Sequence, residues 1–247
     1  MCFSWRLFQG EEGYLHCGAG HDRAGKVFAK SHVIRYISKM SFIQDFFPHT
    51  RLALPAESKL SKEDINALPL FGYSGETHVV NTPAEERVAL KRLQGATLLG
   101  FDTETRPSFR KGKVYNPALV QIAREDVVFL FHIKSLGLSP ELAAFFSNPG
   151  ILKVGVAIKD DMRALTRLLP FEPAGLVDLA QMARRNKIAQ QGLRGLAACL
   201  LGARISKGEQ CSNWGKEALS PKQIAYAATD AWISLAIYRS MQDHGFK

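Results

Sequence analysis

Residues 97–133 hold three apolar runs in quick succession: TLLGFDTE at 97–104, LVQIAR at 119–124 and VVFLFHI at 127–133. Runs of this length, rich in Val, Ile, Leu and Phe, read as strands. Asn116-Pro117 and Glu125-Asp126 supply the breaks between them. Three consecutive strands, the last two separated only by Glu125-Asp126, predict an antiparallel meander.

The pattern then changes. Helix 139–147, strand 151–157 (ILKVGVA), helix 160–169 and a short strand at 175–179 alternate as β/α units. In 192–201, Leu193, Leu196, Ala197, Leu200 and Leu201 form a helical stripe that belongs to the core. The last helix opens at Ser220-Pro221-Lys222-Gln223, an N-cap with proline at the first position and glutamine three residues on, and runs to about Asp243. Ahead of the meander, Thr82-Pro83-Ala84-Glu85-Glu86 opens a helix in the same way, ending near Leu93. The predicted fold class is α/β, a mixed sheet with a meander followed by β/α units and flanked by helices.

Three segments are expected along the 247 residues. Residues 1–39 mix Gly, His, Lys and aromatics without period and form a poorly patterned extension, with the native start expected at Met40. Residues 40–82, with Pro48, Pro55 and Pro69, read as a lead-in that wraps the domain, and the compact domain occupies 83–247.

Net charge is +9, of which 1–39 contributes six Lys/Arg against three acids. Such an excess suggests a polyanionic partner, of which nucleic acid is one class, and by itself it selects none. No run of about 18 apolar residues exists, so no membrane-spanning helix is predicted. Cys2, Cys17, Cys199 and Cys211 form no C-x-x-C pair and no zinc spacing, which suggests a reduced, cytoplasmic protein.

Against this basic background five residues stand out. Along a strand Asp102 and Glu104 point to one face while Phe101 and Thr103 point to the other. Two carboxylates on one face repel unless a cation lies between them. At a strand running out into water such a pair is unremarkable; at the end of an apolar central strand its hard oxygens suit magnesium or manganese. In the helix that opens at the end of GVAIKDD, Asp161 shares a face with Leu165 and Leu168, whereas Asp160 shares one with Arg163 and Arg167. Asp161 is thus the inward acid and Asp160 the solvated one. Support of the helix N-terminus is the plainer alternative for Asp161. Tyr226 and Asp230 lie one turn apart among Ala227, Ala228 and Ala231, which let the last helix approach the sheet closely. Taken alone, they read as an ordinary hydrogen-bonded pair.

In order and separation, FDTET, GVAIKDD and YAATDAW resemble the three exonuclease motifs of the DEDD superfamily. The tyrosine four residues before the last aspartate is similar to the DEDDy branch, which includes ribonuclease D and the Werner-syndrome exonuclease domain. The stretch from Ser206-Lys207 to Cys211-Ser212-Asn213-Trp214 resembles the Werner-type members. The likeness covers about residues 83–243, and no essential motif position is missing. It implies a ribonuclease-H-like fold and a metal-dependent 3′→5′ exonuclease acting on a nucleic acid with a free 3′ end, single-stranded or frayed. It also implies two divalent ions, Mg2+ or Mn2+, and release of nucleoside 5′-monophosphates. On the matching positions, Asp102 would bridge both metals, Glu104 and Asp230 would complete the first site, and Asp161 would hold the second through water. Tyr226 would orient or deprotonate the attacking water. Lys207, Ser212, Asn213 and Trp214 would contact substrate, Lys207 at a phosphate and Trp214 by stacking on a base, with an anchoring role for Trp214 equally open. Arg106, Arg110, Lys111 and Lys113 follow the first motif with Gly112 as a basic loop, which would either grip the backbone or stay a solvated loop. The rival expectation is a catalytically silent nucleic-acid-binding module on the same fold. Its mark would be loss of an acid or of the tyrosine, and all five are present.

Overall fold

A computed structural model describes residue 47, residues 59–108 and residues 115–246. The expectations for 1–39, including the start at Met40, and for Arg110, Lys111, Gly112 and Lys113 lie outside the described residues.

The meander forms as expected. Strand β3 (Leu98–Thr105), following α1 (Lys62–Ala67), β1 (Leu70–Phe71), β2 (Glu76–Val80) and α2 (Pro83–Leu93), pairs antiparallel with β4 (Pro117–Ala123), which pairs antiparallel with β5 (Val127–Phe131). Pro117 opens β4 rather than standing in a turn, since the first residue of a strand tolerates a missing donor. A short α3 (Ile133–Leu136) and α4 (Pro140–Phe146) lead to β6 (Leu152–Gly155), which lies parallel to β3. Helix α5 (Ile158–Thr166) and the parallel strand β7 (Leu176–Asp178) complete the β/α half. Then come α6 (Leu179–Arg185), α7 (Leu193–Leu201), β8 (Arg204–Ile205) and the 23-residue α8 (Pro221–Asp243).

The six-stranded order is β2-β5-β4-β3-β6-β7. The chain winds one way from β3 through β4 and β5, and the other way through β6 and β7. The carboxyl end of β3 is thus the point of reversal, where open α/β sheets form crevices. Residues 76–80, expected within the wrapping lead-in, form the edge strand β2 beside β5. Residues 70–71 pair with β8 in a separate two-stranded parallel sheet.

Each face of the sheet has its own core. One side packs Leu119, Ala123 and Leu130 under α7 and α8, with Trp232 at the centre. The other packs Leu99, Phe101, Val120 and Ile122 against Phe146, Ile158 and Leu165. Helix α8 sits directly on β3 at Gly100, where any Cβ would collide with the Ala231 carbonyl. The lead-in covers the outside of α8: the Tyr73 and Phe71 rings stack on Trp232 at 5.5 and 5.4 Å, and the Tyr73 amide donates to Thr229 Oγ1 at 3.0 Å.

Candidate metal-dependent nuclease site

Strand alternation sends Asp102 and Glu104 to the α8 side, the side on which Gly100 meets Ala231. Helix α8 brings Asp230 to the same place. It is capped by Ser220 and Gln223 in a reciprocal box and buried along most of its length. Asp102, Glu104 and Asp230 each offer a carboxylate oxygen, and these atoms lie within 4.8 Å of one another. A register shift between Glu104 and Thr105 bends the strand just beyond the pair.

Asp161 arrives from the opposite face. It lies on the first turns of α5, and its Oδ1 accepts a 2.7 Å bond from Thr103 Oγ1. Thr103 also donates its amide to Asp102 Oδ1 at 2.9 Å, so one threonine ties the two acids together. Asp161 is not part of the closely spaced trio, but its charge helps raise the pKa of both Asp102 and Glu104. Asp160 faces solvent and pairs with Arg163 at 2.7 Å.

Four carboxylates in a half-buried space cannot all ionise without a counter-charge. Burial, then Asp230 and Asp161, push Asp102 well above the carboxylate range. Burial and the neighbouring acids raise Glu104 to about 10. Burial raises Asp161 to about 6 against the Thr103 hydrogen bond, and burial raises Asp230 as well. Tyr226 is pushed above its ordinary value by burial and then by Asp230 and Glu104, so its phenol keeps its proton and hydrogen-bonds the Asp230 carboxylate. The other oxygen, Asp230 Oδ1, is buried without a partner. Hard oxygen donors, mutual repulsion and an unpartnered carboxylate oxygen fit a divalent cation.

The expected substrate residues separate. Lys207 lines a cleft of about 490 Å³ together with Asp102, Glu104, Tyr226 and Asp230. Ser212 and Asn213 instead close their own loop. Gln223 Nε2 donates to Ser212 Oγ at 2.8 Å and to the Asn213 carbonyl at 3.3 Å, and Asn213 Oδ1 accepts from the Gly215 amide at 3.1 Å. Trp214 is 0% exposed and has no face on which a base could stack. It packs against Tyr226 with centroids 5.9 Å apart, and its place is the anchoring one. Arg106 lies over the Tyr115 ring at 5.4 Å.

Lys62, Gln190, Arg194 and Gln210 also line the cleft and were not singled out in the sequence. Gln121, the cross-strand partner of Asp102, is fully buried with both amide atoms unpartnered. A polar residue inside an apolar strand was the visible signal for Gln121. None marks the others, because lysine, arginine and glutamine are ordinary helix-surface residues.

Comparison with known proteins places the chain in a family. A family model described as 3'-5' exonuclease matches residues 77–245. The bifunctional 3'-5' exonuclease/ATP-dependent helicase WRN of Mus musculus is 34% identical over 160 residues, 62% of this chain and 11% of that protein. The exonuclease mut-7 homolog of Homo sapiens is 29% identical over 185 residues, 62% of this chain and 21% of that one. Ribonuclease D of Gluconacetobacter diazotrophicus is 30% identical over 165 residues, 65% of this chain and 41% of the relative. The chain thus spans less than half the length of each. Among solved structures, the Aedes aegypti Nibbler EXO domain has a TM-score of 0.64 at 24% identity, covering 70% of this chain and 91% of that one. The Trypanosoma brucei RNase D complex with RNA U12 has a TM-score of 0.60 at 22% identity, covering 68% and 62%. Likeness at this level of identity is one of fold, and the fold is ribonuclease-H-like, as the motifs implied.

Proposed function

Because the chain belongs to the 3'-5' exonuclease family, we propose that it removes nucleoside 5′-monophosphates one at a time from the single-stranded or frayed 3′ end of a nucleic acid. We propose further that Asp102, Glu104, Asp161 and Asp230 hold two divalent ions, magnesium or manganese. The observation that carries the reading is the trio Asp102, Glu104 and Asp230 at the point where the sheet reverses, with Tyr226 beside it.

Bound divalent ions supply Lewis-acid stabilisation of phosphate charge and lower the pKa of bound water. The chain's own residues do the rest. Asp102 and Glu104 project from a strand and Asp230 from a buried helix, so their mutual positions are set by the core and not by a loop. Asp161 is aligned by Thr103. Tyr226, which hydrogen-bonds Asp230 and lines the cleft, orients the attacking water. The water oxygen forms a bond to the terminal phosphorus as the bond to the 3′-oxygen breaks; the water gives up one proton to solvent and the departing 3′-oxygen takes one from solvent, leaving a 3′-hydroxyl and a 5′-monophosphate. Lys207, at the edge of the cleft, meets a phosphate.

The test uses matched DNA and RNA oligonucleotides labelled at either end, with magnesium, manganese or EDTA. Shortening from the 3′ end, dependent on metal, is the expected result. Outer-shell partners of a metal are worth about 10–100-fold, so replacing a ligand itself by Asp102→Ala is expected to cost at least about 100-fold. Wild-type turnover by that variant would overturn the assignment.

A further inference from the structure

The cleft above the carboxylates has one wall that precedes the family's matched span. The match begins at residue 77, yet Lys62 and Ile65 of α1 line the same cleft as Asp102, Glu104, Tyr226 and Asp230. A six-residue helix has no stability of its own in water. Helix α1 is started by a reciprocal cap, Asp64 N to Ser61 Oγ at 3.0 Å and Ser61 N to Asp64 Oδ2 at 2.9 Å, and is then pinned from several sides. Arg194 Nη2 donates to Asn66 Oδ1, and Arg204 Nε donates to the Leu68 carbonyl at 3.0 Å. Gln190 Nε2 donates to the Leu60 carbonyl at 3.4 Å, and β1 pairs with β8. The lead-in is thereby fixed against α7 and β8.

Glu63 and Asp64 of α1 do not line the cleft, and the charged side chains that do on this side are basic where the floor is acidic. Lys62, Arg194 and Lys207 line the cleft, and none of them takes part in an ion pair among the described residues. Arg194 Nε is in addition buried without a partner. Three uncompensated cations beside a cluster of acids form a surface for a polyanion that must be drawn past those acids. The cleft volume of about 490 Å³ is that of a site enclosing a nucleotide-sized group rather than a duplex.

We propose that residues 59–71 form a strand clamp: Lys62, with Arg194 and Lys207, holds backbone phosphates of a single-stranded nucleic acid upstream of its 3′-terminal nucleotide, and Ile65 gives the apolar contact for a sugar or base. The proposal rests on the exonuclease reading. It places substrate grip in the lead-in as well as in the catalytic domain.

Binding of fluorescein-labelled 12-nucleotide oligodeoxythymidine and oligouridine by the full chain, followed in EDTA across a salt series, separates the two ideas. One phosphate contact on a single strand carries a log–log salt slope of about 0.7, so Lys62→Ala should flatten the slope by that amount and weaken binding about fivefold at 0.1 M salt. In manganese, KM for the same strands should rise to match while kcat stays within twofold, and Lys62→Arg should restore both. An unchanged slope and KM in Lys62→Ala would overturn the clamp. So would a Lys62→Arg variant that fails to rescue and melts lower, since that marks a packing role. Wild-type protein that shortens no strand in either metal would instead sink the exonuclease reading, with the salt slope still deciding the clamp.

Discussion

Asp160 and Asp161 are neighbours in sequence, but the helix turns one into water and the other into the site. The Asp160 side chain is 71% exposed and paired with Arg163, an arrangement worth less than about 1 kcal/mol. Asp161 accepts from Thr103 and is raised to about 6 by burial. Asp161→Asn should therefore reduce turnover by about 100-fold, whereas Asp160→Asn should leave it within twofold. Turnover of one labelled oligonucleotide by both variants checks this, and equal damage from both would refute the face assignment. Helical period made that distinction legible before any coordinates. The Thr103 hydroxyl was not legible in the same way: a bond between a strand and a helix 58 residues apart obeys no local period. Trp214 was ambiguous in sequence because an aromatic in a polar loop packs inward and stacks outward equally well; burial under α8 decided it.

At the level of elements, what could be read ahead of the structure was what carries its own signal. Helices α2 and α8 begin at their caps and end within a residue of expectation, and β3 to β5 follow their apolar runs. The elements whose local signal is too weak to read are short and held by neighbours: α1, β1, α3, α6 and β8 span two to seven residues, and the caps of α1 and α6 open no long apolar stripe. Strand β2 alternates in burial but exists because β5 offers an edge. The contact of α8 with β3 is the packing on which the site depends, and Gly100 makes it possible. Gly100→Ala sets a side chain against main chain, which cannot swing aside. It should destabilise the protein by about 1–3 kcal/mol or more and weaken Mn2+ binding by shifting Asp230. Urea unfolding and calorimetric titration measure the two effects; an unaltered urea midpoint would mean the helix does not sit this close.

For the molecule as a whole, the acidic centre ties stability to pH and to cations. Folded, the protein keeps protons on Asp161 up to about 6 and on Glu104 up to about 10, and Asp102 and Asp230 are raised as well. Unfolded, all four release theirs near 4. The folded state thus binds more protons, and stability falls as pH rises from about 4 through that range. In EDTA the urea midpoint should be lower at pH 8 than at pH 5, and magnesium should reverse the loss by binding the folded centre and not the unfolded chain. The double variant Asp102→Asn, Asp230→Asn should flatten the pH dependence; an undiminished slope would place its origin elsewhere. The amino-acid sequence by itself determined the meander, the β/α half, the inward acids and the tyrosine, because apolar period, capping and motif spacing are local properties of the chain. Only the tertiary structure decided that Asp161 approaches from the far face of the sheet, that Trp214 is an anchor, and that Lys62 and Arg194 reach the cleft. Those facts depend on which distant segments share a surface, and long-range packing sets that without leaving a period in the sequence.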